Sequence, residues 1–158
     1  MTELTIRKAR VGDLGSLGRL AGALVRQHHE TDPGRFFLPE RVEEGYESWL
    51  RRELRRQGAV VLVAEQSSRI LGYAYGTLEG RDWNALLDEH GSIHDVFVDA
   101  EARRMGVGRA LVERLVSELE GLGAERFILH TMVQNQAAQK LFAACGFRPT
   151  MIEMTRNR

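Results

Sequence analysis

A strand, a glycine-containing loop, a helix and a second strand follow one another in the second half of the chain. Residues 93–98 and 127–132 are apolar and predict strands, and residues 107–122 predict a helix between them with one apolar stripe. The stripe consists of Val107, Leu111, Val112, Leu115, Val116 and Leu119. Because a helix joins the two strands, they are expected to run parallel, with a right-handed crossover. This unit predicts helices packed on a sheet.

The first half of the chain predicts a strand followed by two helices. Residues 4–7 alternate in polarity as a strand does. Asp13 can cap a helix that ends near Gln27. Pro39 suits the start of a second helix, which its apolar spacing continues to Leu54.

The remaining segments predict a hairpin and a closing helix and strand. Residues 59–64 and 70–75 are apolar and flank a short polar turn, as in a β-hairpin. A helix over residues 136–145 and a final strand near residues 151–155 end the chain. The predicted fold class is α/β with an α+β mixed sheet, in which antiparallel N-terminal strands precede a parallel pair. We expect a single domain, residues 1–158, because no linker or repeat divides the chain.

The charge balance and the cysteine content exclude several classes of protein. Lys plus Arg and Asp plus Glu both number 22, so no net field attracts the chain to nucleic acid or to an anionic membrane. Cys145 is the single cysteine and cannot form an intramolecular disulfide. The N-terminal residues lack the pattern of a signal peptide, and no apolar run reaches the roughly 20 residues that cross a bilayer. We expect a soluble cytoplasmic protein.

The loop before the predicted helix 107–122 has the features of an anion site. Gly106 and Gly108 allow the backbone to approach a ligand, and the first turn of a helix presents unpaired N–H groups. Arg103, Arg104 and Arg109 add positive charge. The pattern predicts a diphosphate site. The glycines alone are equally compatible with an ordinary helix start beside surface arginines.

Two common phosphate loops do not fit this segment. A P-loop requires Gly-Lys-Ser/Thr, and neither Lys nor a hydroxyl residue follows Gly108. The dinucleotide fingerprint requires a third small residue, but Leu111 takes that position, and residues 99–102 separate the strand from the glycines. A nucleoside triphosphatase and a nicotinamide-dependent dehydrogenase are therefore disfavoured.

Two ordered motifs carry a resemblance to a known family. Arg103-Arg104-Met105-Gly106-Val107-Gly108 fits the pattern Arg/Gln-x-x-Gly-x-Gly/Ala. Further along come Asn135, Ala138, Leu141-Phe142 and Gly146-Phe147. In these motifs, and in the early Arg7-x-Ala9-x-x-x-Asp13, the chain resembles the GCN5-related N-acetyltransferases over nearly its whole length. The resemblance implies acetyl-CoA as cosubstrate, an amine as acceptor and no metal.

The resemblance also implies how the cofactor is held. The two central parallel strands of the family splay apart, so backbone groups of Val96 and Val98 are expected to bind the pantetheine arm. Backbone N–H groups from Met105 to Ala110 are expected to bind the pyrophosphate. Asn135 is expected to hydrogen-bond the cofactor, although it can equally cap the following helix. The full set of expected cofactor residues is Val96, Phe97, Val98, Arg103, Arg104, Met105, Gly106, Val107, Gly108, Arg109, Ala110, Asn135 and Phe142.

His94 and Asp95 are the candidate catalytic residues. The segment Ile93 to Val98 resembles the polyamine and thialysine acetyltransferase branch of the family. His94 has a suitable ordinary pKa for deprotonating an ammonium, and Asp95 can bind the cation. Neighbours on a strand point to opposite faces, so we expect only one of the two to face the site. A purely structural His94 is an equal alternative.

The family's usual general acid is missing. A Tyr commonly follows the apolar residue of the last motif, but this chain has Phe142 there, which cannot donate a proton. The thiolate then leaves unaided or takes a proton from water. Tyr73 and Tyr75 are expected to pack in the core. Cys145 is expected to be buried and inert, so the acceptor amine attacks the thioester directly.

The acceptor is less well defined by the sequence. The early helical region can line its pocket, with candidates His28, His29, Asp32 and Glu43, although a solvated helix face explains them equally well. Acidic residues before the strand predicted at residues 93–98 favour a small cationic amine, and they are Asp82, Asp88 and Glu89. The alternatives are a protein or peptide acetyltransferase and a non-catalytic acyl-CoA-binding module, for which Phe142 is the main argument.

The family and the apolar residues 151–154 also predict a homodimer with an exposed edge strand.

Overall fold

The structure is a computed structural model that describes residues 2–158. Its strands are β1 (Thr5–Lys8), β2 (Ala59–Gln66), β3 (Arg69–Glu79), β4 (His90–Val98) and β5 (Phe127–Leu129). Its α-helices are α1 (Leu14–Thr31), α2 (Val42–Glu53), α3 (Val107–Gly121) and α4 (Gln136–Ala144). None of the helices in this part of the chain combines the length and the apolar character needed to cross a membrane.

The strands form one mixed sheet in the order β1-β2-β3-β4-β5. The first three pairings are antiparallel and the last, β4 with β5, is parallel. The predicted fold class is therefore confirmed. The parallel ladder begins at Gly91↔Phe127 and ends at Ile93↔Leu129, whereas β4 continues to Val98. The two strands thus separate after Ile93. This separation also ends β5 at Leu129 instead of the predicted residue 132, because the later residues have no ladder partner.

Helices cover both faces of the sheet. The α3 residues of the predicted stripe pack on one face, and Leu111, Leu115 and Leu119 are fully buried there. Helices α1 and α2 cover the other face, where Leu17 and Leu50 are fully buried. Full burial of one such side chain contributes about 1.5–3 kcal/mol. The two layers hold the sheet between them and leave the gap between β4 and β5 open at one end.

Both N-terminal helices differ in extent from the prediction. Helix α1 continues to Thr31, one turn beyond Gln27. The Asp13 side chain makes no cap bond to α1; it accepts hydrogen bonds from Arg7 and from the Arg10 backbone, because a short 3-10 turn precedes the helix. Helix α2 begins at Val42 and not at Pro39, since Arg41 has a φ of 52° and a left-handed residue cannot continue an α-helix.

The predicted final strand is absent. Residues 151–155 form no ladder, and Met151, Ile152 and Met154 are 80–90% exposed. A strand requires a neighbour to bond its backbone groups, and the tail instead reaches the loop after α1 through side chains. Glu153 pairs with Arg35, and Asn157 Nδ2 donates to the Gly34 carbonyl at 2.9 Å. The homodimer stays a prediction, without the edge strand that motivated it.

Candidate functional site

A cavity of about 270 Å³ lies where β4 and β5 separate. Its walls come from the end of α1, the loop 35–39, α2, β4, β5 with the segment after it, and α4. In sheets with parallel strands, ligands bind at the carboxyl ends of the strands, where neighbouring elements diverge. The cavity occupies such a position.

A β-bulge brings both candidate catalytic residues to this cavity. Tyr75 pairs with Asp95 but Gly76 pairs with Ile93, so His94 is an extra residue on β4. A bulge breaks the alternation of side chains. His94 and Asp95 therefore both line the cavity, and the expectation that they face opposite sides is wrong.

The His94 ring lies between an aromatic ring and a hydroxyl. It stacks on the Tyr75 ring with 5.1 Å between centroids, and its Nε2 lies 2.8 Å from the Thr77 Oγ1. The residue remains open to solvent through the cavity, but the protein around its ring disfavours the charged form and lowers its pKa. The imidazole is thus neutral near pH 7 and can accept a proton.

The Asp95 carboxylate has one hydrogen-bond donor among the described side chains, the Tyr73 hydroxyl at 2.9 Å. Desolvation by burial raises the pKa of Asp95, and the Tyr73 hydrogen bond offsets part of that effect. No cation pairs with it within residues 2–158. A carboxylate in this state favours an incoming ammonium group, which supplies the missing charge partner.

Tyr73 and Tyr75 are core residues, as the sequence indicated, but each also carries a polar contact. Their exposures are 0% and 2%. The Tyr73 hydroxyl donates to Asp95, and the Tyr75 hydroxyl donates to Glu53. Both rings thus fix polar groups next to the cavity.

The start of helix α3 presents free backbone N–H groups, as a site for an anion requires. Gly106 has a φ of 78° and precedes the helix, and Val107, Gly108 and Arg109 are the first-turn residues whose N–H groups have no intrahelical acceptor. The N–H of Ala110 donates to the Gly106 carbonyl at 3.1 Å, so the predicted role of Ala110 as a phosphate donor is wrong. A Cβ on Gly108 would lie 3.1 Å from the Leu141 side chain, so this glycine also allows close packing against α4.

The three arginines near this helix start differ in their partners. Arg103 lies over the Phe97 ring, and its Nε donates to the Val98 carbonyl at 3.3 Å. Arg109 pairs with Glu113 at 2.8 Å. Arg104 is exposed, with a φ of 65°, and makes no ion pair within the described residues. Arg104 is therefore the cation most available to a phosphate.

The backbone of β4 fits a bound amide chain along the gap. Asp99 N–H donates to the Leu71 carbonyl at 2.7 Å, and hydrogen-bonded pairs alternate along an antiparallel ladder. The register then directs the N–H and C=O groups of Val96 and Val98 towards β5, where no strand lies beyond the Ile93 pairing.

Phe97 does not fit its predicted cofactor role. Its backbone pairs with Tyr73, and its side chain is buried on the α1 and α2 face, away from the gap.

Helix α4 forms the wall opposite β4. Asn135 Oδ1 accepts from the Ala138 N–H at 3.0 Å, so Asn135 caps the helix, and it also lines the cavity. Phe142 lines the cavity too and lies edge-on to Phe147. Cys145 is half-buried outside the cavity lining, and burial raises its pKa.

Several acceptor-site candidates lie elsewhere. His28 lines the cavity, but Glu43 pairs with Arg26 at 2.6 Å and His29 bonds the Phe36 carbonyl. Asp32 is also outside the lining. Asp82 and Asp88 accept hydrogen bonds within the β3–β4 loop, one of them from the Glu89 backbone N–H. None of Asp82, Asp88 and Glu89 lines the cavity. They give no support for a cationic acceptor.

Four polar residues of the cavity wall were not predicted, namely Arg35, Tyr46, His130 and Thr131. His130 follows β5 directly, so the rule that ligands bind at the carboxyl ends of parallel strands could have found it. Arg35 and Tyr46 lie in the α1–α2 region, and no local motif marks them.

Comparison with known proteins agrees with this geometry. The model of the acetyltransferase (GNAT) family matches residues 23–147. The chain belongs to the acetyltransferase (GNAT) family.

Two curated relatives show how far the sequence similarity extends. The [ribosomal protein bS18]-alanine N-acetyltransferase of Escherichia coli K12 is 37% identical over 67 residues, which cover 42% of this chain and 45% of the relative. The chain thus spans about half the length of that protein. Glucosamine 6-phosphate N-acetyltransferase 1 of Oryza sativa subsp. japonica is 32% identical over 119 residues, covering 73% of this chain and 70% of the relative.

A solved structure shares the fold over the whole chain. Aminoglycoside N-acetyltransferase AAC(6')-Iy in complex with CoA superposes with a TM-score of 0.78 at 17% identity, covering 100% of this chain and 96% of that chain.

Proposed function

We propose that the chain transfers an acetyl group from acetyl-CoA to a primary amine of a small cationic molecule. The observation that carries this proposal is the bulge at His94. It brings a neutral imidazole and a carboxylate without a cationic partner to one cavity, at the point where β4 leaves β5. Family membership and the CoA bound by the aminoglycoside enzyme agree with this reaction.

Acetyl-CoA, when bound, supplies an acetyl group activated as a thioester. The backbone groups of Val96 and Val98 would hold its pantetheine arm along the gap. The first-turn N–H groups of α3 and the Arg104 guanidinium would hold its pyrophosphate. Arg103 would have to release the Val98 carbonyl, which its Nε bonds at 3.3 Å.

The acceptor amine is held by charge and by aromatic walls. Asp95 binds its ammonium group, and Phe36 and Tyr46 line the same cavity. The Arg35–Glu153 contact joins the loop of this wall to the C-terminal tail. This contact favours a small acceptor over a folded protein.

Proton transfer involves His94. The ammonium loses a proton to the imidazole, and the resulting amine attacks the thioester carbonyl directly. His94 then releases the proton to solvent through the cavity, to which it is open. The attacking nitrogen loses its second proton to water as the amide forms. The departing sulfur leaves as the thiolate or takes a proton from water, because Phe142 cannot supply one.

A peptide N-terminus is the second candidate acceptor. The similarity to the ribosomal-protein alanine N-acetyltransferase favours it.

A screen of small amines and peptides for release of the CoA thiol tests the proposal. We expect turnover with small diamines or other cationic amines and none with neutral alcohols. Preference for N-terminal peptides would replace the small acceptor by the second candidate. Acetyl-CoA binding without turnover on the whole panel would contradict the proposed reaction and indicate a binding module.

A further inference from the structure

A short series of hydrogen-bonded side chains continues from His94 away from the cavity. His94 Nε2 lies 2.8 Å from Thr77 Oγ1, and the same hydroxyl donates to Glu79 Oε1 at 2.6 Å. Thr77 is fully buried, so water cannot replace either bond. These three side chains belong to the β3–β4 hairpin, which holds their spacing rigidly.

The number of hydrogens on each of the three side chains determines which group donates and which accepts. A hydroxyl has one hydrogen, and an ionised carboxylate only accepts. The Thr77 hydroxyl therefore donates to Glu79 and must accept from His94. A neutral imidazole has one N–H, so that hydrogen lies on Nε2 and the lone pair lies on Nδ1.

Burial of the His94 ring lowers its pKa, and nearby charges act on it in both directions: Glu79 and Glu53 raise the pKa, whereas Arg56 and His130 lower it. Arg56 Nη2 lies 3.7 Å from Glu79, and Arg56 Nη1 donates to Glu53 at 3.2 Å. The charged and titratable groups around His94 are Glu79 and the stacked Tyr75 of β3, Glu53 of α2, Arg56, His130 after β5 and the adjacent Asp95. With Glu79 anchored by Arg56, the direction of the Thr77 hydroxyl is fixed.

We propose that Thr77 and Glu79 are positioning residues that hold His94 in the Nε2–H tautomer, so that Nδ1 is the atom that accepts the proton of the acceptor ammonium. This inference rests on the proposed function for its catalytic meaning. The proton balance is simple: the ammonium loses one proton, Nδ1 gains it, and the imidazolium keeps its Nε2–H bond to Thr77. Glu79 then lies one hydroxyl away from the new positive charge and stabilises it.

The tautomer can be measured without any substrate. Long-range ¹H–¹⁵N correlation spectra of the free protein, with His94 assigned by comparison with a His94→Gln variant, distinguish the two nitrogens of the neutral ring. We expect a protonated Nε2 and an unprotonated Nδ1. A ring protonated on Nδ1 in the wild type would overturn the inference.

Three variants test the two positioning residues. Thr77→Val removes the hydroxyl at constant shape, and Glu79→Gln replaces the obligate acceptor by a group that can also donate. Both should give a mixture of tautomers and lower kcat by about 10- to 100-fold, within the usual range for a general base, with KM for acetyl-CoA unchanged. Thr77→Ser should restore the wild-type tautomer and most of kcat.

The control is Glu89→Gln, an exposed carboxylate of the β3–β4 loop, which should change neither readout. Full kcat and an unchanged tautomer in Glu79→Gln would overturn the inference, even if Thr77→Val fails to fold. If no amine is ever acetylated, the spectra still decide the tautomer. Failure of the proposed function is thus distinguishable from failure of the inference that Thr77 and Glu79 fix the His94 tautomer.

Discussion

Asp95→Asn should weaken acceptor binding and at the same time stabilise the free protein. The amide keeps the shape of the carboxylate and can still accept the Tyr73 hydrogen bond, which measures 2.9 Å in the wild type. It removes the negative charge that, in our proposal, binds the ammonium group of the acceptor. The two effects have opposite signs, so a general loss of folding cannot produce both.

The expected loss of binding follows from the environment of Asp95. Two unit charges 4 Å apart attract by about 4 kcal/mol at an effective dielectric constant of about 20. Desolvation of both groups reduces this gain, and hydrogen bonds to charged groups contribute about 1.5–3 kcal/mol net. Such a loss corresponds to a rise in the amine KM of about 10- to 100-fold. The KM for acetyl-CoA should not change, since we assign the cofactor to the Val96 and Val98 backbone and the start of α3, not to the Asp95 side chain.

The stability effect follows from the raised pKa of Asp95. The folded protein holds this proton more tightly than the unfolded chain does. Its stability therefore falls as the pH rises from the ordinary aspartate value through the folded pKa. Asp95→Asn lacks this titration and should have a higher Tm than the wild type at pH 7, with the difference vanishing at acidic pH.

Steady-state kinetics with the best amine from the screen and thermal unfolding between about pH 3 and 8 measure both effects. An unchanged KM for the amine acceptor in Asp95→Asn, or a lower Tm of this variant at pH 7, would refute the role of Asp95.

Three further predictions concern catalysis and assembly. His94→Ala should lower turnover by roughly 10- to 1000-fold and remove the acidic limb of the pH–rate profile, with little change in acetyl-CoA affinity; a fully active variant would exclude His94 as the base. Cys145→Ala should keep near-normal turnover, because the thiol lies outside the cavity lining and its pKa is raised. Detection by intact mass spectrometry of an acetylated enzyme that passes its acetyl group on would contradict direct attack. Light scattering at tens of micromolar should give the mass of a homodimer, and a monomer mass would count against it.

The sequence predicted the sheet and the start of α3 because their signals are local. The apolar stripe of α3 and Gly106 before it are enough to locate the helix start. The alternation of apolar segments was enough to predict antiparallel strands followed by a parallel pair. Such patterns depend on residues a few positions apart, so they can be read without knowledge of tertiary contacts.

The acceptor side of the site depends on contacts that no local pattern reveals. The bulge at His94 is a matter of register between β3 and β4, and one extra residue reverses which side chains face the cavity. Arg35 and Tyr46 reach the cavity only because the α1–α2 region folds over the sheet. The tail near Met151 has strand-like composition, but no neighbouring strand lies beside it to complete a ladder.

The most direct test of the whole account is acetyl-CoA binding measured by isothermal titration with wild type, Arg104→Glu and Arg126→Glu. Arg104 lies beside the N-terminus of α3, whereas Arg126 is an exposed arginine beyond its C-terminal end, so the second variant controls for net charge. We predict one site per chain and an affinity about tenfold weaker for Arg104→Glu alone, with the difference shrinking as salt is raised. No binding to the wild type, or equal affinity in both variants, would contradict a cofactor pyrophosphate held at the start of α3.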